Sequence, residues 1–171
     1  METFPDELLV EYARQGRCDA LAILLRRHED AVYNIVHNMC GASSEAEELI
    51  YQTVISAWWE SGSPGPNSSF RTWILGKAIQ TALAARRHGT AAPAFDRSNL
   101  AGRLREALDR LDDRVRAAFV LCDLAELPAH EAAIILQTSH QEIRQRVHRA
   151  RLMLIGELDG SSRPVSQSWN A

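Results

Sequence analysis

Residues Leu127 to Leu154 read LPAHEAAIILQTSHQEIRQRVHRARLML, and this stretch decides the fold. Its apolar positions form two sets separated by a break at Gln137 to Ser139. In the first set, Ala132, Ala133, Ile135 and Leu136 make a compact stripe. In the second, Ile143, Val147, Ala150 and Leu154 recur at spacings of four, three and four, so at roughly 100° per residue they share one inward face of a helix. Ser139 is the expected N-cap of that second helix, because its hydroxyl can accept an orphan backbone amide of the first turn. Two helices joined by so tight a turn make a helix-turn-helix.

The outward face of the second helix carries the chemistry. Gln141, Gln145, His148 and Arg149 point away from the apolar stripe, with Arg144, Arg146 and Arg151 on its flanks. Arginine suits guanine edges and phosphates, glutamine can make a bidentate contact to adenine, and a helix N-terminus favours a phosphate. A solvated basic face on an ordinary amphipathic helix has the same pattern; the preceding helix and turn favour DNA.

The rest of the composition is that of a soluble globular protein. The chain has 171 residues, 46% hydrophobic and 24% charged, enough for one ordinary domain or two small ones. No apolar run approaches the roughly 18 residues of a membrane span, and METFPDELL lacks the basic-then-apolar order of a signal peptide, so a cytoplasmic protein is expected. Cys18, Cys40 and Cys122 are odd in number and widely spaced, which argues for reduced thiols. His37 and Cys40 can share a helix face, but no second pair at ligand spacing supports a metal, and no cofactor is expected. A formal charge of -3 is unusual for a protein that grips DNA unaided, since cations supply most non-specific affinity. Help from a partner is implied. The basic charge is focused instead, with four arginines against one glutamate from Ser139 to Arg151.

Taken in order, the chain reads as all-helical. Leu8, Leu9, Tyr12 and Ala13 define a short helix stopped by Gly16, and Asp19 opens another in which Leu21, Leu24, Leu25, Val32, Ile35 and Val36 keep a helical period up to Gly41. A third, capped by Ser43 or Ser44, carries a buried stripe of Ala46, Leu49, Ile50, Thr53, Val54, Ala57 and Trp58. Its outer face is unusual: Tyr51, Ile55 and Trp59 line up four apart, so either another helix covers them or a partner protein docks there. The loop Ser61 to Ser69 is rich in Pro, Gly and Ser, and Trp58, Trp59, Phe70 and Trp73 gather around it, either as core anchors or as a surface for stacking unpaired bases. A helix follows from Phe70. The segment from His88 to Leu100 loses the helical period and reads as an interdomain linker, with a reach on the order of 45 Å if fully extended. Leu100, Leu104, Ala107, Leu108 and Leu111, then Val115, Ala118, Phe119 and Leu121, form the stripes that precede the helix-turn-helix. The expected organisation is a first domain over 1–87, a linker over 88–99, a second domain over 100–158 and a disordered polar tail over 159–171.

Four pieces in this order resemble the extracytoplasmic-function group of bacterial sigma factors, two-domain subunits that direct RNA polymerase to promoters. DALAILLRRHEDAVYNIV resembles the opening helices of the family's first domain, and SEAEELIYQTVISAWW its polymerase-docking helix. FRTWILGKAI is similar to the start of its promoter-reading helix, and residues from Leu104 to Leu154 resemble its entire second domain. The resemblance implies docking to the clamp helices of core RNA polymerase through Glu47, Glu48, Tyr51, Gln52, Ile55 and Trp59. It implies reading of the minus-10 element by Arg71, Trp73, Lys77 and Gln80, with the loop of 61–69 capturing an unpaired base. It implies reading of the minus-35 element by Ser139, His140, Gln141, Glu142, Arg144, Gln145, Arg146, His148, Arg149 and Arg151. An anti-sigma factor is a further partner of such proteins.

The chain departs from the family's pattern at identifiable places. Tyr51 and Gln52 stand where the docking helix usually has Gln and an acid, which predicts an altered polymerase contact. Gly76 and Ala84 replace a basic residue and an acid in the promoter-reading helix, and Gly76 should lower its stability by about 1 kcal/mol. Gln137 replaces the usual turn glycine, predicting a left-handed or strained residue there. These departures motivate an alternative reading, a sigma-like decoy or adaptor that does not initiate transcription. An enzyme is disfavoured: His28, His37 and His130 have acids nearby, but no nucleophile motif, phosphate loop or paired metal spacing accompanies them.

Overall fold

The structure, a computed structural model, describes residues 3–40, 48, 51, 53–55, 58, 59, 64, 65, 68–87 and 100–158. Among these every regular element is helical. The elements are α1 (Asp6–Arg14), α2 (Cys18–Cys40), α3 (Phe70–Arg87), α4 (Leu100–Asp109), α5 (Asp113–Phe119), a π-helical turn (Val120–Leu124), α6 (Ala129–Ile135) and α7 (His140–Leu158). Positions 48, 51, 53–55, 58 and 59 are also helical. The expected linker and tail, the caps at Ser43 or Ser44 and the stop at Gly41 lie outside the described residues.

Local chemistry sets the helix ends. Gly16 has a φ of 87°, the left-handed conformation that glycine adopts without a Cβ penalty, and its amide donates to Ala13 O at 3.0 Å to close α1. α1 is rotated slightly from the sequence expectation: Leu9, Val10 and Ala13 face the core and Leu8 lies at the rim. Asp6, in its first turn, holds Arg27 and His28 of α2 at 2.7 Å each. Burial raises the Asp6 carboxyl's pKa, but the bonds and charges of His28 and Arg27 outweigh it and hold the group below its ordinary value. Asp112 caps α5 by accepting from the Arg114 amide at 2.9 Å.

α3 lies at the centre. Phe70, Thr72, Ile74, Leu75, Gly76, Ala78, Ile79 and Ala82 are all buried, so apolar contact surrounds the helix instead of forming one stripe. α2 packs along one side of it, and α6 meets another through Ile135 at Gly76. One apolar cluster runs from Leu9 and Leu24 through Ile74 and Ile79 to Ala132, Ile135, Ile143 and Val147. A smaller one joins Leu108, Leu111, Val115 and Phe119 to Ala150 and Leu154 of α7. Full burial of each such Leu, Ile or Phe stabilises by about 1.5–3 kcal/mol before chain entropy is counted.

Two arginines join the halves at the end of α2. Arg86 donates to Met39 O at 2.8 Å and to the Asp113 carboxylate at 2.6 Å. Arg116, fully buried, donates to the same Met39 O at 3.0 Å, to Leu108 O at 2.6 Å and to Asp109 at 2.7 Å. The carbonyls belong to the last turns of α2 and α4, where unpaired acceptors and the negative end of the helix dipole gather. That placement is what allows a guanidinium to sit inside the protein. Burial, then the neighbouring Arg86 charge, lowers the Arg116 pKa, opposed by Asp109.

Candidate nucleic-acid and polymerase interfaces

The outward face of α7 is set by the turn between α6 and α7. Thr138 N donates to Ala133 O at 3.0 Å and Gln137 N to Ile134 O at 3.3 Å, the paired bonds of a Schellman stop. Gln137 takes the left-handed position that this stop requires, with φ of 49°, as its place in the turn predicts. Gln137→Gly should therefore raise unfolding stability by roughly 0.5–1 kcal/mol, the relief of left-handed strain less the entropy of an added glycine. Urea titration of the two proteins checks this, and a destabilised glycine variant would contradict the strain. Glu126, with φ of 54°, plays the same part after the π-helical turn and gave no comparable sequence signal.

Ser139 caps α7 as expected, its hydroxyl accepting from Glu142 N at 3.1 Å. Ile143, Val147, Ala150 and Leu154 are buried, which aims the opposite face outward. His140, Gln141, Arg144, Gln145, His148 and Arg149 are all exposed, and most of them border an open groove of about 990 Å³ floored by Ala129 and Val147. The basic flanks are less available. Arg146 donates to Glu142 at 2.8 Å, and Arg151 forms a two-pronged pair with Asp123 of the π-helical turn at 2.7 and 2.8 Å. The Asp123 bonds and charge raise the Arg151 pKa. Arg144 and Arg149 have no ion-pair partner among the described residues, so they are the cations ready for a phosphate or guanine.

The aromatic group beside the loop is mostly interior. Trp58 and Phe70 are buried, with ring centroids 5.7 and 5.5 Å from the half-buried Trp73. His28 packs on Phe70 at 5.5 Å. Of the two readings the sequence left open, Trp58 and Phe70 take that of core anchors. Lys77 is half-buried and Gln80 exposed on α3, while Arg71 donates to Ala125 O at 2.6 Å.

On the outer face of the third helical segment, Ile55 and Trp59 are exposed. Trp59 is 62% exposed and Ile55 42%, Glu48 is exposed and Tyr51 half-buried; Glu47 and Gln52 lie outside the described residues. Among the described residues no helix covers Ile55 and Trp59, and an uncovered apolar pair of this kind is a docking surface in the physical sense. A second apolar exposure was missed: Leu152, Met153 and Ile155 project from the end of α7, and Ile134 from α6 is 71% exposed. The signal was present in the run LMLI at 152–155, since four successive residues on a helix cannot all face one core.

His37 and Cys40 do not form part of a metal cluster among the described residues. His37 stacks on Tyr33 at 5.4 Å, and the Cys40 thiol, its pKa raised by burial, points at Ala82 O at 3.6 Å.

Two family matches cover most of the chain. Residues 24–91 match Sigma-70 region 2, and residues 101–154 match Sigma-70, region 4. The chain belongs to the extracytoplasmic-function sigma factors. It is 31% identical over 167 residues to the ECF RNA polymerase sigma factor SigE of Mycolicibacterium smegmatis, covering 85% of this chain and 64% of that protein. It is 27% identical to the RNA polymerase sigma factor CarQ of Myxococcus xanthus, covering 88% and 97% respectively. Among solved structures, CnrH in complex with the cytosolic domain of CnrY superposes with a TM-score of 0.73 at 24% identity, over 92% of this chain and 99% of that one. RpoE of Bartonella quintana, in complex with the anti-sigma factor NepR, gives 0.66 at 21% identity, over 81% and 96%. At these identities the superpositions show the all-helical sigma-factor fold. The capped α6–α7 pair is thus the region 4 helix-turn-helix of this sigma factor, and α3 falls in its region 2. No helix among the described residues is long and apolar enough to cross a membrane.

Proposed function

We propose that this sigma factor binds core RNA polymerase and selects promoters, with residues 1–87 docking to the polymerase clamp and reading the minus-10 element and residues 100–158 reading the minus-35 element. The observation that carries this is α7: its inward stripe is packed while six polar and basic side chains on the opposite face stay exposed, five of them, His140, Gln141, Arg144, Gln145 and His148, along one groove. The exposed Ile55 and Trp59 supply the apolar part of a polymerase contact, framed by Glu48. On this reading the protein performs no reaction of its own and works in the cytoplasm beside the polymerase. It also offers an anti-sigma factor a target, as RpoE of Bartonella quintana does for NepR.

The test is run-off transcription with core polymerase over a promoter library, with and without the protein. Transcripts that start at a common pair of elements only when the protein is present support the reading; an unchanged transcript set removes it. Tyr51 and Gln52, standing where the family has Gln and an acid, favour a second reading as a decoy or adaptor. Failure to co-purify with core polymerase at moderate salt would support that one.

A further inference from the structure

Arg14, the last residue of α1, donates to Pro64 O at 2.9 Å, a bond across 50 residues of sequence that ties the first helix to the loop of 61–69. Pro64 is buried although it lies in a loop, so its carbonyl needs a partner within the protein. The neighbouring chain is poor in donors: Pro64 and Pro66 have no amide hydrogen, and the Ser68 amide is given to Gly65 O at 3.0 Å. A side chain from another element supplies the donor instead. Glu11, one turn back on α1, lies 3.6 Å from the Arg14 guanidinium and steadies it. The other end of the loop is fixed from within α3. The Ser69 hydroxyl accepts from Thr72 N at 3.1 Å, and Ser69 O accepts from Trp73 N at 3.1 Å, which makes Ser69 the N-cap of that helix. Between the two anchors the backbone turns at Gly65 and Ser68, both exposed.

We propose that Arg14 is a positioning residue for the base-capturing loop: by holding Pro64 O it fixes the exposed turn at Gly65 and Ser68 relative to α1 and α3 before DNA arrives. The proposal rests on the reading of this loop as the one that captures an unpaired minus-10 base. Arg14 itself touches no base. Its physical basis is preorganisation. A turn held at both ends has little backbone freedom left to lose when it closes on a base, whereas a turn loose at one end must be ordered by the binding itself. The gain goes to the base that fits the ordered turn, so loss of the anchor lowers base discrimination there and leaves contacts elsewhere on the promoter as they were. The ordinary role of an arginine in the last turn of a helix, complementing the helix dipole, has no such consequence for base choice.

The test uses the full chain with core polymerase on promoter templates whose minus-10 region is pre-melted by mismatch and randomised on one strand. The unaltered protein should prefer one base at one or more unpaired positions. Arg14→Ala should reduce that preference by about three- to tenfold, with the minus-35 preference and the thermal midpoint unchanged. Arg14→Lys, which keeps a charged donor, should recover most of it. Unchanged preference in Arg14→Ala overturns the positioning role, and so does an equal loss at every promoter position, which is the mark of a merely structural residue. The second measurement needs no promoter: the Ser68 amide, bonded to Gly65 O, should exchange its hydrogen at least about threefold faster in Arg14→Ala, followed by NMR. Unchanged exchange overturns the anchor. Should the unaltered protein show no preference at any unpaired position, the base-capture reading fails, and amide exchange alone decides whether Arg14 orders the loop.

Discussion

Arg116→Ala should lower the free energy of unfolding by about 3–5 kcal/mol, the largest loss expected from a single substitution in this protein. Arg116 is fully buried and its guanidinium serves acceptors on two helices: Leu108 O and the Asp109 carboxylate at the end of α4, and Met39 O at the end of α2. Alanine would leave a carboxylate and helix-terminal carbonyls facing a void too poor in donors to satisfy them. Each stranded acceptor costs about 1–3 kcal/mol, more for the charged one. Arg86 limits the damage because it also reaches Met39 O and lies 3.4 Å from Asp109. Arg116→Lys restores the charge but offers one compact donor group in place of a planar fork, so it should recover only part of the loss. Urea titration of the three proteins checks the series. A loss below about 1 kcal/mol for Arg116→Ala would mean that water enters and replaces the guanidinium.

Arg144→Ala and Gln145→Ala should each weaken binding to the minus-35 element by about 1–3 kcal/mol, roughly 5- to 150-fold, if each reads a base. Both side chains are exposed on the face opposite the Ile143, Val147 and Ala150 stripe, so truncation removes contacts to DNA and leaves the packing of α7 intact. Arg146 and Arg151 make the instructive contrast. Their bridges to Glu142 and Asp123 already occupy them, and Arg151 fastens α7 to the π-helical turn. Loss of Arg151 would act on the orientation of the reader more than on a base. Promoter competition in run-off transcription measures the effect, and unchanged promoter choice in both Arg144→Ala and Gln145→Ala would remove α7 from the reading role.

The parts of the fold that were legible in the sequence are those governed by local rules. The α7 stripe, its Ser139 cap, the left-handed Gln137 and the Gly16 stop follow from helical period and from which residues tolerate which backbone, and all four stand as read. The open face of Ile55 and Trp59 was also visible as a ladder at four-residue spacing, although period alone left open whether a neighbour covers it. Less legible were interactions between residues far apart in the chain. Arg116 sits in DRVRAAF, where an arginine looks like ordinary surface charge, and its burial depends on two helix ends brought together by tertiary packing. The pairing of Arg151 with Asp123 spans 28 residues of sequence and leaves no mark in the local helical pattern. The π-helical turn and Glu126 gave no sequence signal, since neither has a residue preference as strong as a glycine stop.

Residues 127–154 by themselves determined a helix-turn-helix, which face of its second helix turns outward and what chemistry that face offers, because helical period and capping act within a few residues. Only the tertiary structure decided which cations on that face are unpaired, that a buried arginine ties the ends of α2 and α4 together, and that α3 lies beneath α6 with Gly76 against Ile135. Those are contacts over long sequence separations, set by how the helices pack and not by the period of any one of them.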